Sequence, residues 1–284
     1  MTAIITWGAT TLLASTALML LVLLLRAAVR QLIGPRLGYT LWALPAIRMV
    51  LPSLPAIGGL PMASAPPMAV LFAGPRGVPG AMAGADWASM GMIVAIVWLA
   101  GAVCLFATYA IRHMRFCRRL EATGTAFGKL GAIRIIAAGV EGPLAFGVWR
   151  RFIAVPRNFA RDYDARERDL AIAHENAHHA RGDLAANWLL LAVLAAHWWN
   201  PVAWAAVRAF RDDQEFAADA RVLAARPDAL PAYAQVLAKA AGVGALPVCN
   251  LNARSNLKGR LMMLDQKPRS ARRLLFGGAA LIMA

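Results

Sequence analysis

Long apolar runs alternate with short basic clusters along this chain, and the alternation predicts membrane helices with a set direction. Ile4 to Leu25 carries no charge and is long enough as a helix to cross a hydrocarbon core of about 30 Å. Arg26, Arg30 and Arg36 follow it. Because Lys and Arg collect on the cytoplasmic side, the N-terminus is expected outside and Arg26 inside. A signal peptide would open on basic residues and close on a clear small-residue cleavage site, and this run has neither. Leu37 to Leu54 predicts a second span, with Pro45 and Arg48 inside it. A charge there is costly, so Arg48 either snorkels to the far interface or faces the protein interior and pairs there. Residues 55–87 are rich in Gly, Pro, Ala and Met and poor in charge, as expected of a plain external loop. Met90 to Ile111 predicts a third span, closed by Arg112, Arg115, Arg118 and Arg119. The segment after Arg119 therefore starts in the cytoplasm. At 269–284 a basic flank precedes Leu274 to Ala284, only about 16 Å of helix, which reads as the start of a further, incomplete span.

Composition agrees. Of 284 residues, 60% are hydrophobic and 16% charged, against about 45–50% and about 25% in soluble domains. With a mean hydropathy of +0.54, a disordered chain is excluded and an ordinary soluble enzyme does not fit. The net charge of +15 is first a topology signal and then an attraction to anionic lipid. No basic stripe carries interleaved aromatics, so no direct nucleic-acid partner is expected. Cys104, Cys117 and Cys249 share no metal or disulfide spacing and are read as structural.

The informative polar stretch is Asp164 to Asp183. Asp164 followed by Glu167 is a capping-box pattern, and Gly182 fits a helix end, so the spacing predicts a helix over Ala165–Arg181. On it His174 and His178 are one turn apart and share a face, a spacing at which two imidazoles can bind one zinc ion. Glu175 sits beside the first of them, placed to take a proton from water activated by the metal. The alternative is a polar helix face with satisfied histidines. His179 points about 100° away, to the surface or behind the ligands. A catalytic zinc wants a third protein ligand. His113, at the inner end of the third span, and His197, in His197-Trp198-Trp199-Asn200-Pro201, are expected at the membrane interface. The better candidate is Glu215, with Asp219 one turn on, able to accept a hydrogen bond from the outer nitrogen of a ligating His. A solvated acidic face is the other reading.

Glu-x-x-x-Asp on a separate helix after His-Glu-x-x-His resembles the gluzincin zinc peptidases. In detail the chain is similar to their BlaR/MecR-type antirepressor branch of integral-membrane metallopeptidases. The matching pieces are Leu41-Trp42 through Arg48 to Pro52, Gly142 to Gly147, Ile153 to Pro156, the zinc helix with Arg181-Gly182-Asp183, the His197 to Pro201 turn, and Glu215 to Asp219. The resemblance implies His174, His178 and Glu215 as Zn2+ ligands, Glu175 as general base and Asp219 behind the ligands. Antibiotic-sensing members carry a large external penicillin-binding domain; these 284 residues include none, so a β-lactam stimulus is not among the expectations.

Leu184 to Val207 would pass for one membrane span by length. A crossing would put His178 and Glu215 on opposite sides of the membrane, so the ligand set requires a helical hairpin over 184–210. Its turn would be at Asn200-Pro201, with His197, Trp198 and Trp199 near the tip, re-entrant or interfacial. Ile133 to Ile136 and Phe152 to Val155 are β-prone; they either supply a strand edge that holds substrate or form a plain structural sheet. No oxyanion stabiliser is singled out, with Tyr233 and several arginines available.

The expected fold is a mainly α membrane protein, a multi-span helical bundle with a cytoplasmic gluzincin-like zinc peptidase domain carrying a small β-sheet. Its parts are three transmembrane helices in 1–112, the peptidase domain in 113–268, and the incomplete helix in 269–284. The expected function is zinc metalloendopeptidase signalling at the bacterial inner (cytoplasmic) membrane, with the active site facing the cytoplasm. The substrate would be a cytoplasmic protein, by resemblance a winged-helix transcriptional repressor, with the lipid bilayer as the other partner and homo-oligomerisation compatible. The rival is a non-catalytic signalling or scaffold protein with a structural zinc, which would have no need of Glu175. A transporter would need more polar residues in its spans than Arg48.

Overall fold

The structure, a computed structural model, describes residues 2–51, 87–241 and 257–264. The loop expected over 55–87 lies outside the described residues apart from Trp87, and the helix expected over 269–284 lies wholly outside them.

Two long apolar helices frame the protein: α1 (Thr2–Leu32) and α4 (Trp87–Thr123). Their stretches Trp7–Leu32 and Met90–Thr123 are, among the described residues, the helices long and apolar enough to cross a membrane. Leu24, Ile96, Val97 and Leu99 stand exposed on them, as side chains facing lipid do. The α4 helix does not stop at the basic cluster but carries Arg112 to Arg119 onward as one rod.

Within the span expected over 37–54, the described residues form two short helices, α2 (Pro35–Thr40) and α3 (Ala43–Val50). Six and eight residues reach about 9 and 12 Å. Pro35 opens α2, and Pro45 lies in the first turn of α3, where a missing N–H costs nothing. The proline that apolar counting put inside a span thus helps begin a new helix. Among the described residues, Arg48 Nη1 donates to the Leu51 carbonyl at 3.3 Å. The arginines that reach inward are Arg26 and Arg30, with Nη1 at 3.2 and 2.7 Å from Asp213 Oδ1.

After α4 come four strands, β1 (Thr125–Leu130), β2 (Ile133–Ala138), β3 (Leu144–Phe146) and β4 (Phe152–Pro156). They lie in the order β1-β2-β4-β3. The pair β2/β4 is parallel, and β1/β2 and β3/β4 are antiparallel. The two β-prone segments of the sequence are therefore the inner strands, and the edge strands are β1 and β3.

The helices α5 (Phe159–Asp162), α6 (Ala165–Arg181), α7 (Asp183–Ala196) and α8 (Pro201–Ala225) follow. A 3-10 turn, α9 (Leu230–Ala241) and α10 (Leu257–Leu264) complete the described chain. The boundaries of α6 are those its caps predict. The Asp164 carboxylate accepts from the Glu167 N–H, Glu167 returns the bond, and Gly182 takes the left-handed conformation with φ 74°. Two cores flank the polar centre. One joins Met19 and Val22 of α1 and Trp42 to Val193 and Leu194 of α7 and to Val207 and Phe210 of α8. The other joins Ile153 and Val155 of the sheet, Leu170, Val222 and Tyr233. Helix α8 begins in the first core and ends in the second, so Glu215 lies between them.

Helices α7 and α8 form the expected hairpin, with the Asn200 side chain capping α8 through the Val202 N–H. Its tip departs from expectation. His197 is fully buried, 2.9 Å from Ser15 Oγ of α1, instead of anchoring at an interface. Trp198 Nε1 donates to the Trp98 carbonyl of α4 at 3.1 Å, while Trp199 remains exposed.

Candidate metal centre

Helix α6 is polar, yet it lies inside the protein. Glu167, His174, Glu175, His178 and His179 are all buried on it. Burying such groups is unfavourable unless each finds a partner, and each does, on four other elements. Glu167 pairs with Lys239 of α9. His179 Nε2 donates to the Phe152 carbonyl of β4 at 2.9 Å. Glu175 Oε2 accepts from the Ala145 N–H of β3 at 2.7 Å. The Nδ1 of His174 faces the Tyr233 hydroxyl of α9 at 2.7 Å, and the Nδ1 of His178 faces Asp183 Oδ2 of α7 at 2.7 Å. These partners fix the rotation of α6 and decide what its histidines present inward.

With both Nδ1 atoms engaged behind them, the two Nε2 atoms turn to one point. They are 3.2 Å apart. Glu215 Oε2 lies 3.3 Å from Nε2 of His174, and Glu215 Oε1 lies 3.7 Å from Nε2 of His178. A tetrahedral zinc with bonds of about 2.0–2.1 Å has ligand–ligand edges of about 3.3 Å. Where the Nδ1 hydrogen bonds hold each Nε2 unprotonated, three acceptors converge as metal ligands do. The described residues include one such group, His174, His178 and Glu215, and it can hold a metal ion.

Behind it lies a charged layer. Tyr233, fully buried, donates to Asp219 Oδ1 at 2.7 Å, and Asp219 Oδ1 is itself 3.3 Å from Nδ1 of His174. Arg260 of α10 binds both carboxylates, with Nη2 2.6 Å from Asp219 Oδ1 and Nη1 3.1 Å from Glu215 Oε2. Burial would raise the two acids, but the guanidinium and His174 outweigh it, so both sit well below the usual carboxylate range. For His174, burial pushes down while the bonds to Asp219 and Glu215 push up, and the carboxylates prevail.

Sequence reading singled out His174, Glu175, His178, Glu215 and Asp219; the first four line a cleft of about 700 Å³, and Asp219 stands behind His174. His113 also lines the cleft, edge-on to Trp188 at 5.4 Å, away from the three facing atoms. Tyr233 stands behind His174, on the side away from the ligand cluster, so an oxyanion role does not suit it. The sequence reading gave no role to Asp183, Tyr233 or Arg260. The available signal was Asp183 in the first turn after the Gly182 cap; Tyr233 and Arg260 left none.

A family model described as BlaR1 peptidase M56 matches residues 9–264, a range that contains every residue of the centre. The regulatory protein BlaR1 of Bacillus licheniformis is 29% identical over 84 residues. That match covers 30% of this chain and 14% of the relative.

Proposed function

This chain belongs to the BlaR1 peptidase M56 family, and on that premise we propose that it is a membrane zinc endopeptidase that signals by cutting a cytoplasmic protein. The observation that carries the proposal is the convergence of His174, His178 and Glu215 on one point with Glu175 beside it in the same cleft. Zinc held there would supply Lewis acidity, making a water acidic near neutrality and polarising the scissile carbonyl. Glu175 would take the proton from that water as its oxygen bonds to the carbonyl carbon. It would then return the proton to the leaving nitrogen as the C–N bond breaks. The Ala145 N–H on Glu175 Oε2 holds the carboxylate in orientation and ties the base to β3. As the edge strand nearest Glu175, β3 offers its outer edge, apart from the engaged Ala145 N–H, to an extended peptide. Asp219 and Asp183 keep the ligand histidines in the tautomer with Nε2 facing the metal.

Family membership favours a transcriptional repressor of the winged-helix type as substrate, and the basic inner ends of the long helices favour a cytoplasmic active site. The test is Glu175→Gln in membranes containing the full chain. Zinc content and melting temperature should match wild type, while cleavage falls by about 10²–10⁴-fold. Wild-type cleavage in that variant would exclude the mechanism. Zinc bound by the wild type without any cleavage of candidate repressors would favour a scaffold with a structural metal.

A further inference from the structure

The motif beginning at Leu41-Trp42 has no place in the chemistry above, yet its surroundings enter the metal centre. Helix α2 lies against α8, and Tyr39 on it and Trp42, in the turn that follows, reach two fully buried carboxylates. Trp42 Nε1 donates to Asp213 Oδ2 at 2.9 Å, on the acid that Arg26 and Arg30 of α1 also hold. Tyr39 Oη donates to Asp183 Oδ1 at 3.0 Å. The other oxygen of Asp183 faces Nδ1 of His178 at 2.7 Å.

We infer that Tyr39 is a positioning residue of the metal centre, acting through Asp183 on His178, so that the α1–α2 segment sets the geometry of a ligand. The inference rests on the metal centre proposed above. Asp183 is fully buried, and a carboxylate with unfilled lone pairs there would turn toward any donor within reach. Its Oδ1 is hydrogen-bonded by the Tyr39 hydroxyl, and Arg181 Nη2 lies 3.3 Å away as an ion pair without a hydrogen bond. Without the hydroxyl, Arg181 alone would draw Oδ1, and Oδ2 would leave the line of the His178 ring. Tyr39 is itself held from three sides. Gln214 Nε2, adjacent to Glu215 in sequence, donates to its oxygen at 3.2 Å. The Arg181 guanidinium lies 4.6 Å above its ring, and the Phe210 ring is 5.2 Å away.

The test uses the full chain in nanodiscs, as wild type, Tyr39→Phe, Asp183→Asn and the double variant. Zinc affinity is read by competition with a chelator, and Co2+ is bound in parallel for its visible absorption. The Phe variant keeps the ring and its packing, so its metal-free form should stay folded, with a melting temperature lowered only by the lost hydrogen bonds to Asp183 and Gln214. Its zinc affinity should fall by about 10-fold, the lower end for partners behind a ligand, and its Co2+ spectrum should shift. In the Asp183→Asn background, Tyr39→Phe should add nothing. Wild-type zinc affinity in Tyr39→Phe, or losses that multiply in the double variant, would overturn the inference and leave the metal centre standing. A wild-type chain that binds no zinc would overturn both.

Discussion

His174 is under opposing demands. As a metal ligand it must present a neutral Nε2, yet its surroundings favour a proton. Burial alone would push its pKa down, but the bonds to Asp219 and Glu215 outweigh burial and lift it to about 10. The unfolded value is near 6.5, so over the interval between the two the native metal-free state holds a proton that the unfolded state has lost. That contribution is complete below about pH 6.5 and disappears as pH rises toward 10. Chelated protein should therefore lose melting temperature between pH 7 and 10, and Asp219→Asn should flatten the slope. Zinc binding should run the other way, gaining affinity over the same interval because the metal displaces the proton. Melting curves with and without chelator across that interval check both; a chelated protein whose stability rises toward pH 10 would reverse the sign. At this scale the sequence shows what is local. His174, Glu175 and His178 were legible because one helical turn brings them together, and Glu215 because it heads the best remaining acidic pair. Tyr233, Arg260 and Tyr39 were not. They reach their partners across 59, 41 and 144 residues, and no periodicity carries that information.

Elements divide in the same way. Helix α6 announced both ends through its capping box and Gly182, and the hairpin turn through Asn200-Pro201, because caps and turns depend on neighbours alone. The break between α2 and α3 was hidden, since an apolar count cannot tell a proline inside a span from one in a first turn. Strand β1, with every residue exposed, shows no alternation to read, and β3 is only three residues long. Helix contacts also depend on what meets each position. A Cβ at Gly101 of α4 would lie 2.5 Å from Cε2 of Trp198, whereas one at Gly91 would meet nothing within 4 Å. Gly101→Leu should drive the Trp198 indole off the Trp98 carbonyl and destabilise the protein by about 1–3 kcal/mol, as overpacking does. Gly91→Leu should be neutral. Melting of both variants in the same detergent decides this, and equal melting temperatures would mean that α4 does not seat the hairpin tip.

For the whole molecule, the question is where the hairpin lies in a bilayer. By composition, Leu184 to Val207 could be one crossing, but His174 Nε2 and Glu215 Oε2 are 3.3 Å apart, so the segment between them folds back on itself. Two independent rulers give the depth of the tip. It meets α1 at Ser15 and Thr16 and α4 at Trp98. Ser15 is eleven residues past Ile4 and Trp98 eight past Met90, the starts of the two apolar runs, about 16 and 12 Å of helix. A turn at that depth would leave backbone carbonyls without water, which lipid does not tolerate. Indoles serve them instead. Trp98 donates to the Ala196 carbonyl at 2.9 Å, Trp204 to the Trp198 carbonyl at 2.9 Å, and Trp198 to the Trp98 carbonyl at 3.1 Å. The expected arrangement is a re-entrant hairpin, open at the cytoplasmic face, with its tip inside the bilayer between α1 and α4. Single cysteines at Ala185, Trp199 and Arg221, all exposed positions, would read it out once the three native cysteines are replaced. An impermeant thiol reagent should label positions 185 and 221 only from the cytoplasmic side, and position 199 should react only with a lipid-soluble reagent. Labelling of position 221 from outside intact cells would make the segment a true span, put Glu215 across the membrane from His178, and remove the metal centre.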